Sequence, residues 1–253
     1  MYHRNPKKNF LTRGTGKLNH SSSEITGPVP VFIPAYNEEE TIGEVIASLK
    51  NLNVDLIIYV VDDGSQDGTF EKARNAGAIV IRHPMNLGGG AAIKTAFMVA
   101  LKKNYNFIVT MDADGQHEPA DLPNLLQAVK TADFVIGSRF MNRKRPEMPA
   151  YRLVGVIFMS WLLRKIIKIE LTDATSCYRV YKLSIIRKML PYLRENQYYA
   201  LETLILAKKF DAIITEVPIT NRLRKKGYSK KGSFKYGFNL MKVILRNFFR
   251  SIS

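Results

Sequence analysis

Two carboxylates separated by one small residue, Asp112-Ala113-Asp114, follow the apolar run Phe107-Ile108-Val109-Thr110 and lead into Gly115-Gln116-His117. On an extended backbone, residues i and i+2 point the same way, so Asp112 and Asp114 would aim at one point past the end of a buried strand. Hard oxygen ligands of this kind suit Mg²⁺ or Mn²⁺, and Mg²⁺ is usually held by one or two carboxylates together with substrate phosphates. The alternative is a polar turn, because Asp-Gly favours turns on its own. His117 is either a further ligand or a hydrogen-bonded loop histidine.

The elements that must hold these residues alternate along the chain. Strands are expected at Val29–Pro34, Asp55–Val61, Ala78–Arg82, Phe107–Met111 and Asp133–Ile136. Helices are expected at Glu38–Leu49, Asp67–Ala76, Gly89–Lys102 and near Leu122–Lys130. Such alternation argues for an α/β domain with a mainly parallel sheet, whose ligands bind beyond the carboxyl ends of the strands. Polar clusters fall at those ends: Tyr36-Asn37-Glu38, Asp62-Asp63-Gly64-Ser65, the Asp112–Asp114 pair and Gly137-Ser138-Arg139. Asp62 is either a site residue or a cap for the helix that follows. Gly88-Gly89-Gly90 is either an anion-binding nest or a run that permits close packing.

After Phe140 the pattern changes. A basic, proline-containing loop (142–149) precedes a Leu153–Ile169 helix and the polar stretch Thr172-Asp173-Ala174-Thr175-Ser176-Cys177-Tyr178-Arg179. Helices follow near Ser184–Leu190 and Ala200–Phe210. Ile213–Pro218 reads as a returning strand, at a sheet edge because of its proline. A basic loop and an amphipathic helix over Phe234–Phe249 close the chain.

Charge is uneven. The net charge is +16, and residues 222–253 carry ten Lys or Arg and no acid. A basic block with interleaved Phe234, Tyr236, Phe238, Phe248 and Phe249 fits an anionic membrane surface at least as well as RNA, or is a solvated tail. Residues 1–28 read as a disordered basic leader without the apolar region of a signal peptide. The longest near-apolar run, Leu153–Leu163, falls short of the ~18 residues of a membrane span. One cysteine, Cys177, excludes an intramolecular disulfide and a multi-cysteine zinc site.

Taken in order, Pro34-Ala35-Tyr36-Asn37-Glu38-Glu39, Asp62-Asp63-Gly64-Ser65-Gln66-Asp67-Gly68-Thr69, Asn86-Leu87-Gly88-Gly89-Gly90, Asp112-Ala113-Asp114-Gly115-Gln116, Gly137-Ser138-Arg139-Phe140 and Glu216-Val217-Pro218-Ile219 resemble a family 2 glycosyltransferase. Within that family the chain resembles specifically the dolichyl- or polyprenyl-phosphate sugar synthase branch, which includes dolichol-phosphate mannose synthase-like enzymes. The likeness covers about residues 29–232 and implies a GT-A fold, leaving 233–253 as the basic amphipathic helix. It implies a divalent ion held by Asp112, Asp114 and Gln116. It implies a donor pocket drawing on Pro34, Ala35, Tyr36, Glu38, Asp63, Asp112 and Ala113, and a phosphate-binding Arg139. Arg224 and Lys230, within Arg224-Lys225-Lys226-Gly227-Tyr228-Ser229-Lys230, match a family pattern that sits over donor or acceptor phosphates. Asp173 lies where relatives with hydroxyl acceptors keep a catalytic acid; base, orienting group, N-cap and loop residue all stay open. Cys177 stands where the family often has glycine, which puts the shape of that loop in question.

The resemblance thus implies inverting transfer of a hexose from a UDP- or GDP-linked donor to dolichyl or polyprenyl phosphate. A peripheral protein on the cytoplasmic face of a membrane is expected, with no nucleic acid partner. A second reading keeps the donor site but transfers to a sugar or protein hydroxyl. It fits less well, because a hydroxyl acceptor needs a base more than it needs Arg139, Arg224 and Lys230. A third, a non-catalytic nucleotide- or RNA-binding protein, leaves the Asp112/Asp114 pair unused.

Overall fold

The computed structural model describes residues 27–142, 150–194, 196–222, 243 and 246–247. Residues 1–26 of the leader, Arg224, Lys230 and most of the helix expected at Phe234–Phe249 lie outside the described residues. Among the described residues, seven strands form one sheet: β1 (Val29–Ala35), β2 (Leu56–Asp62), β3 (Ile79–Arg82), β4 (Phe107–Thr110), β5 (Phe134–Ser138), β6 (Arg179–Lys182) and β7 (Ile214–Pro218). Their order is β3-β2-β1-β4-β6-β5-β7. All pairings are parallel except those of β6, which runs antiparallel to both β4 and β5. β7 lies at the edge, as its proline predicts.

Among the described residues, α1 (Ile42–Lys50), α2 (Thr69–Asn75), α3 (Gly89–Lys103), α4 (Leu122–Ala128), α5 (Ala150–Ile167), α6 (Leu183–Met189) and α7 (Tyr199–Lys209) cover the two faces. Alternate strand residues feed separate cores, as the period of two requires. Phe32, Tyr59, Val61, Ile108, Phe134 and Tyr181 meet α3, α5, α6 and α7. Val31, Ile33, Val60, Val109, Val135 and Val180 meet α1 and α4. Burial on both faces explains why the central strands read as continuous apolar runs.

The strand missing from the sequence reading is β6. It is four residues long, opens on Arg179 and ends on Lys182, so neither length nor alternation marks it. Arg179 is nevertheless fully buried. Its guanidinium donates to the carbonyls of Ser176 (2.6 Å), Ala174 (2.9 Å) and Ala200 (2.8 Å) and to the Thr203 hydroxyl (2.9 Å). Because β6 is reversed, the Thr172–Tyr178 loop ahead of it arrives at the rim where the other six strands end.

Several boundaries shift for identifiable reasons. Residues 38–41 form a turn ahead of α1, in which the Glu38 N–H is bound by the Thr69 hydroxyl (2.8 Å) and the Glu39 N–H by Asp67 (3.3 Å). α2 begins at Thr69, whose N–H is bound by Asp67 Oδ1 (3.0 Å). Asp62 is thus not the helix cap; its Oδ1 accepts the Ser65 N–H (2.9 Å) in the preceding turn. No helix among the described residues is long and apolar enough to cross a membrane. In the terminal segment, Val243 and Asn247 are buried, and neither belongs to the apolar stripe Phe234, Phe238, Met241, Ile244, Leu245, Phe248 and Phe249.

Candidate active site

The first two strands end in register, Ala35 beside Asp62, so their loops meet. Side chains stitch them together: Asn37 N–H donates to Ser65 Oγ (3.0 Å), and Gln66 N–H donates to Asn37 Oδ1 (2.9 Å). Asn37 adopts a left-handed backbone (φ 53°) to do so. Beside this seam lies a cavity of about 500 Å³ lined by Tyr36, Gly64, Ser65, Gln66, Arg82, His83, Pro84, Met85 and Asn86. Of the expected donor-pocket residues only Tyr36 lines it. Pro34 and Ala35 end β1 behind it, and Glu38 accepts the Thr41 hydroxyl (3.3 Å).

Asp63 is buried and directed at its own chain. Oδ1 accepts the Leu87 N–H (3.0 Å) and lies 2.7 Å from His83 Nδ1, while Oδ2 accepts the Gly88 N–H (2.7 Å). His83 Nε2 lies 2.8 Å from the Thr95 hydroxyl on α3. A relay from β2 through His83 to α3 therefore shapes one wall of the cavity. Arg82 forms another: Nη2 donates to the Ser65 carbonyl (2.7 Å), and Nε lies 3.2 Å from Asp62 Oδ2 as an ion pair without hydrogen-bond geometry. Sequence reasoning missed both residues, since a lone Arg-His pair at a strand end carries no motif.

The glycine run is structural. Gly88 has φ 95°, and a Cβ there would stand 2.7 Å from the Asn196 carbonyl oxygen. The Gly88 and Gly90 N–H groups are already spent on Asp63 and Asn196. An anion nest has too few free donors left here.

Past β4 the backbone turns rather than continuing extended, with Gly115 at φ 71°. Asp112 and Asp114 are half-exposed on either side of buried Ala113. The turn is held from three directions. Thr41 Oγ1 donates to the Ala113 carbonyl (2.8 Å), the Asp112 N–H donates to His117 Nδ1 (3.3 Å), and the Gln116 N–H donates to Asp114 Oδ1 (3.1 Å). His117 is buried and stacked on Tyr178, so it is a loop-holding histidine. Gln116 Nε2 donates to the Arg222 carbonyl (3.4 Å), and its Oε1 makes no hydrogen bond among the described residues. Two half-exposed carboxylates and a free amide oxygen fit a small hard cation that takes its remaining ligands from a bound phosphate. No group of three or more His, Cys, Asp or Glu that could hold a metal ion gathers among the described residues.

Across the rim, Arg139 and Asp173 form a bidentate pair, Nε to Oδ2 at 2.6 Å and Nη2 to Oδ1 at 2.9 Å. Arg139 Nη2 also donates to Thr175 Oγ1 (2.7 Å), and the Arg139 N–H to Asp173 Oδ2 (3.2 Å). The Thr175 and Ser176 N–H groups reach Asp173 Oδ1, both at 3.2 Å. Burial alone would raise the pKa of this fully buried carboxylate. The charge and hydrogen bonds of Arg139 outweigh it and hold Asp173 below the ordinary carboxylate value. Burial likewise works against the charge on Arg139, but Asp173, with Cys177 and Asp112 contributing, raises its pKa. Cys177 is buried, accepting the Tyr199 hydroxyl (3.2 Å) and lying 3.8 Å from the Thr175 carbonyl, where it packs the loop.

Comparison with known proteins places this arrangement in context. The model of Glycosyl transferase family 2 matches residues 31–190. The UDP-N-acetylglucosamine–dolichyl-phosphate N-acetylglucosaminyltransferase of Methanococcus voltae is 32% identical over 236 residues, covering 85% of this chain and 94% of that protein. The undecaprenyl-phosphate mannosyltransferase of Micrococcus luteus is 34% identical over 210 residues, covering 80% and 86%. Among solved structures, glucosyl-3-phosphoglycerate synthase from Mycobacterium tuberculosis, in complex with Mn²⁺, UDP and glucosyl-3-phosphoglycerate, superposes with a TM-score of 0.69. That pair is 17% identical, with 98% of this chain and 90% of that chain covered. The GT-A fold is shared.

Proposed function

Because the chain belongs to glycosyl transferase family 2, we propose that it transfers a hexose from a UDP- or GDP-linked donor to dolichyl or polyprenyl phosphate with inversion. The observation that carries this reading is the Arg139–Asp173 pair. A hydroxyl acceptor needs a base, and the acid at the expected position is saturated by six donor contacts and held ionised by Arg139. A phosphate acceptor is already an anion and needs cationic hydrogen-bond donors instead. The relatives' names, which specify dolichyl and undecaprenyl phosphate, support the same acceptor class.

In this reading the cavity beside Tyr36 takes the nucleoside, with Arg82 and His83 as walls, and the donor diphosphate lies towards Asp112 and Asp114. Those two aspartates and Gln116 Oε1 would hold Mg²⁺ or Mn²⁺, whose charge, when bound, neutralises the leaving diphosphate. Arg139 directs the acceptor phosphate oxygen to the face of the anomeric carbon opposite the leaving group. The new C–O bond forms as the bond to the nucleoside diphosphate breaks, and no proton need be removed from the acceptor. Arg224 and Lys230 are assigned to the same phosphates.

The acceptor's lipid chain requires access to a bilayer, and the protein is proposed to act peripherally, on the cytoplasmic face. The exposed side chains Val154, Ile157, Phe158 and Trp161 recur at helical spacing on α5 and support this. Purified protein incubated with polyprenyl phosphate and a panel of labelled UDP- and GDP-sugars should yield a mild-acid-labile lipid product. Product should vanish in excess chelator and return with Mg²⁺ or Mn²⁺. Label entering only polysaccharide or protein would remove the acceptor assignment, and full activity in chelator would remove the metal.

A further inference from the structure

The edge strand β7 reaches into the site through one side chain. Glu216 Oε2 accepts the Thr172 N–H (2.7 Å) and the Thr172 hydroxyl (2.9 Å), and Oε1 accepts the Asp173 N–H (2.8 Å). The Thr172 oxygen lies 2.6 Å from Ser138 Oγ, directly before Arg139. A glutamate on an edge strand could leave its carboxylate in water at no cost. Here both oxygens are spent on the two residues that begin the Asp173 loop.

We propose that Glu216 is a positioning residue for the acceptor phosphate, acting through Asp173 on Arg139. The proposal rests on the reading that Arg139 takes that phosphate. The charge of Arg139 is already matched by Asp173, so what it offers an incoming anion is directional donors more than net attraction. Nε and Nη2 are both consumed by Asp173 and Thr175, whereas Nη1 makes no hydrogen bond among the described residues. The direction of Nη1 follows from the plane of the guanidinium, and that plane follows from the two oxygens of Asp173. The Asp173 carboxylate is fixed in turn by its backbone, which Glu216 grips at consecutive positions. Outer-shell groups that orient metal ligands typically change affinity or activity by about 10–100-fold, and an effect on that scale is expected of Glu216, which acts on Arg139 through Asp173.

The test separates acceptor from donor. Glu216→Ala should lower kcat/KM for a short-chain isoprenyl phosphate by about 10–100-fold, with the KM for the nucleotide sugar and the affinity for the free nucleoside diphosphate within about twofold of wild type. Glu216→Gln, which keeps one acceptor oxygen and the side-chain shape, should recover part of the loss. Binding of the isoprenyl phosphate followed by calorimetry should weaken in the same order. An unchanged acceptor KM and affinity in a folded Glu216→Ala protein overturns the proposal. So does an equal loss on the donor side, which would mark a general structural role. If Glu216→Ala does not fold, the same readings on Glu216→Gln decide. Failure of the wild-type protein to bind or glycosylate the isoprenyl phosphate would instead strike the parent reading.

Discussion

Asp173 is a carboxylate whose surroundings admit no neutral substitute. Six donor contacts converge on its two oxygens, from Arg139 (N–H, Nε, Nη2), Thr175 (N–H, hydroxyl) and the Ser176 N–H. Asp173→Asn would set an NH₂ group against some of those donors and leave Arg139 buried without its counter-ion. Breaking such a pair costs about 3–5 kcal/mol, and chemical denaturation should show a loss of that order. The pH dependence has a definite sign. Asp173 is depressed below its unfolded value of about 3.9, so the pair's stabilisation is complete above that pH and is lost as pH falls through the lower folded value. The stability gap between wild type and Asp173→Asn should stay constant from about pH 5 to 8 and close in stronger acid. A gap that changes near neutrality would mean that Asp173 titrates there and is not held low by Arg139. Residue types at the rim were readable because the motifs name them, but their orientations were not. Asp63 carries the motif expected of a donor-binding acid, yet two backbone N–H groups and His83 hold it inward. No local pattern announces a partner twenty residues away.

At the scale of elements, the parallel strands were legible because burial on both faces leaves an unbroken apolar run, whereas β6 was hidden by its shortness and by Arg179. The same failure concealed why the Thr172–Tyr178 loop reaches the rim at all. α5 was legible as a helix, but which way it faces was not, since it is apolar nearly all round. In the structure Met159, Ser160 and Leu163 turn inward, Ser160 Oγ donating to the Thr172 carbonyl (3.2 Å), while Val154, Ile157, Phe158 and Trp161 remain exposed. The inner face thus touches the Thr172–Tyr178 loop. The outer face is an apolar stripe followed by exposed Arg164, Lys165 and Lys168, a combination suited to an anionic interface. Trp161 is the chain's single tryptophan, so fluorescence excited selectively at tryptophan reports on this stripe alone. Vesicles containing phosphatidylglycerol should shift its emission to the blue, and Ile157→Asp with Phe158→Asp should abolish the shift while sparing transfer to a short-chain acceptor. An unshifted spectrum at every lipid composition would assign the stripe to another occupant, such as a second copy of the chain.

For the whole molecule the relevant quantity is charge. Of the net +16, the ten basic residues from 222 to 253 contribute +10 with no acid among them. A field of this size affects association and orientation and says little about fold. Deleting the C-terminal segment would be a poor test of membrane attraction, because Val243 is buried in the core that α3 and α7 share. Its loss would destabilise the protein whatever the charges do. Replacing Lys235, Lys242 and Arg250 with Gln removes three charges, lowers the net value from +16 to +13, and leaves Val243 in place. A basic side chain at an anionic leaflet contributes about 1 kcal/mol, so binding to phosphatidylglycerol vesicles should weaken by up to about 10²-fold. The wild-type interaction should itself decline with added salt, as the screening length falls from about 10 Å at 0.1 M to about 3 Å at 1 M. Transfer to a short-chain soluble acceptor should change far less in both comparisons, because Arg139 is largely shielded from solvent by its own loop. If vesicle binding by the triple variant equals that of wild type at low salt, these three charges do not face the bilayer, and the exposed stripe of α5 with Arg164, Lys165 and Lys168 is left to supply the attachment.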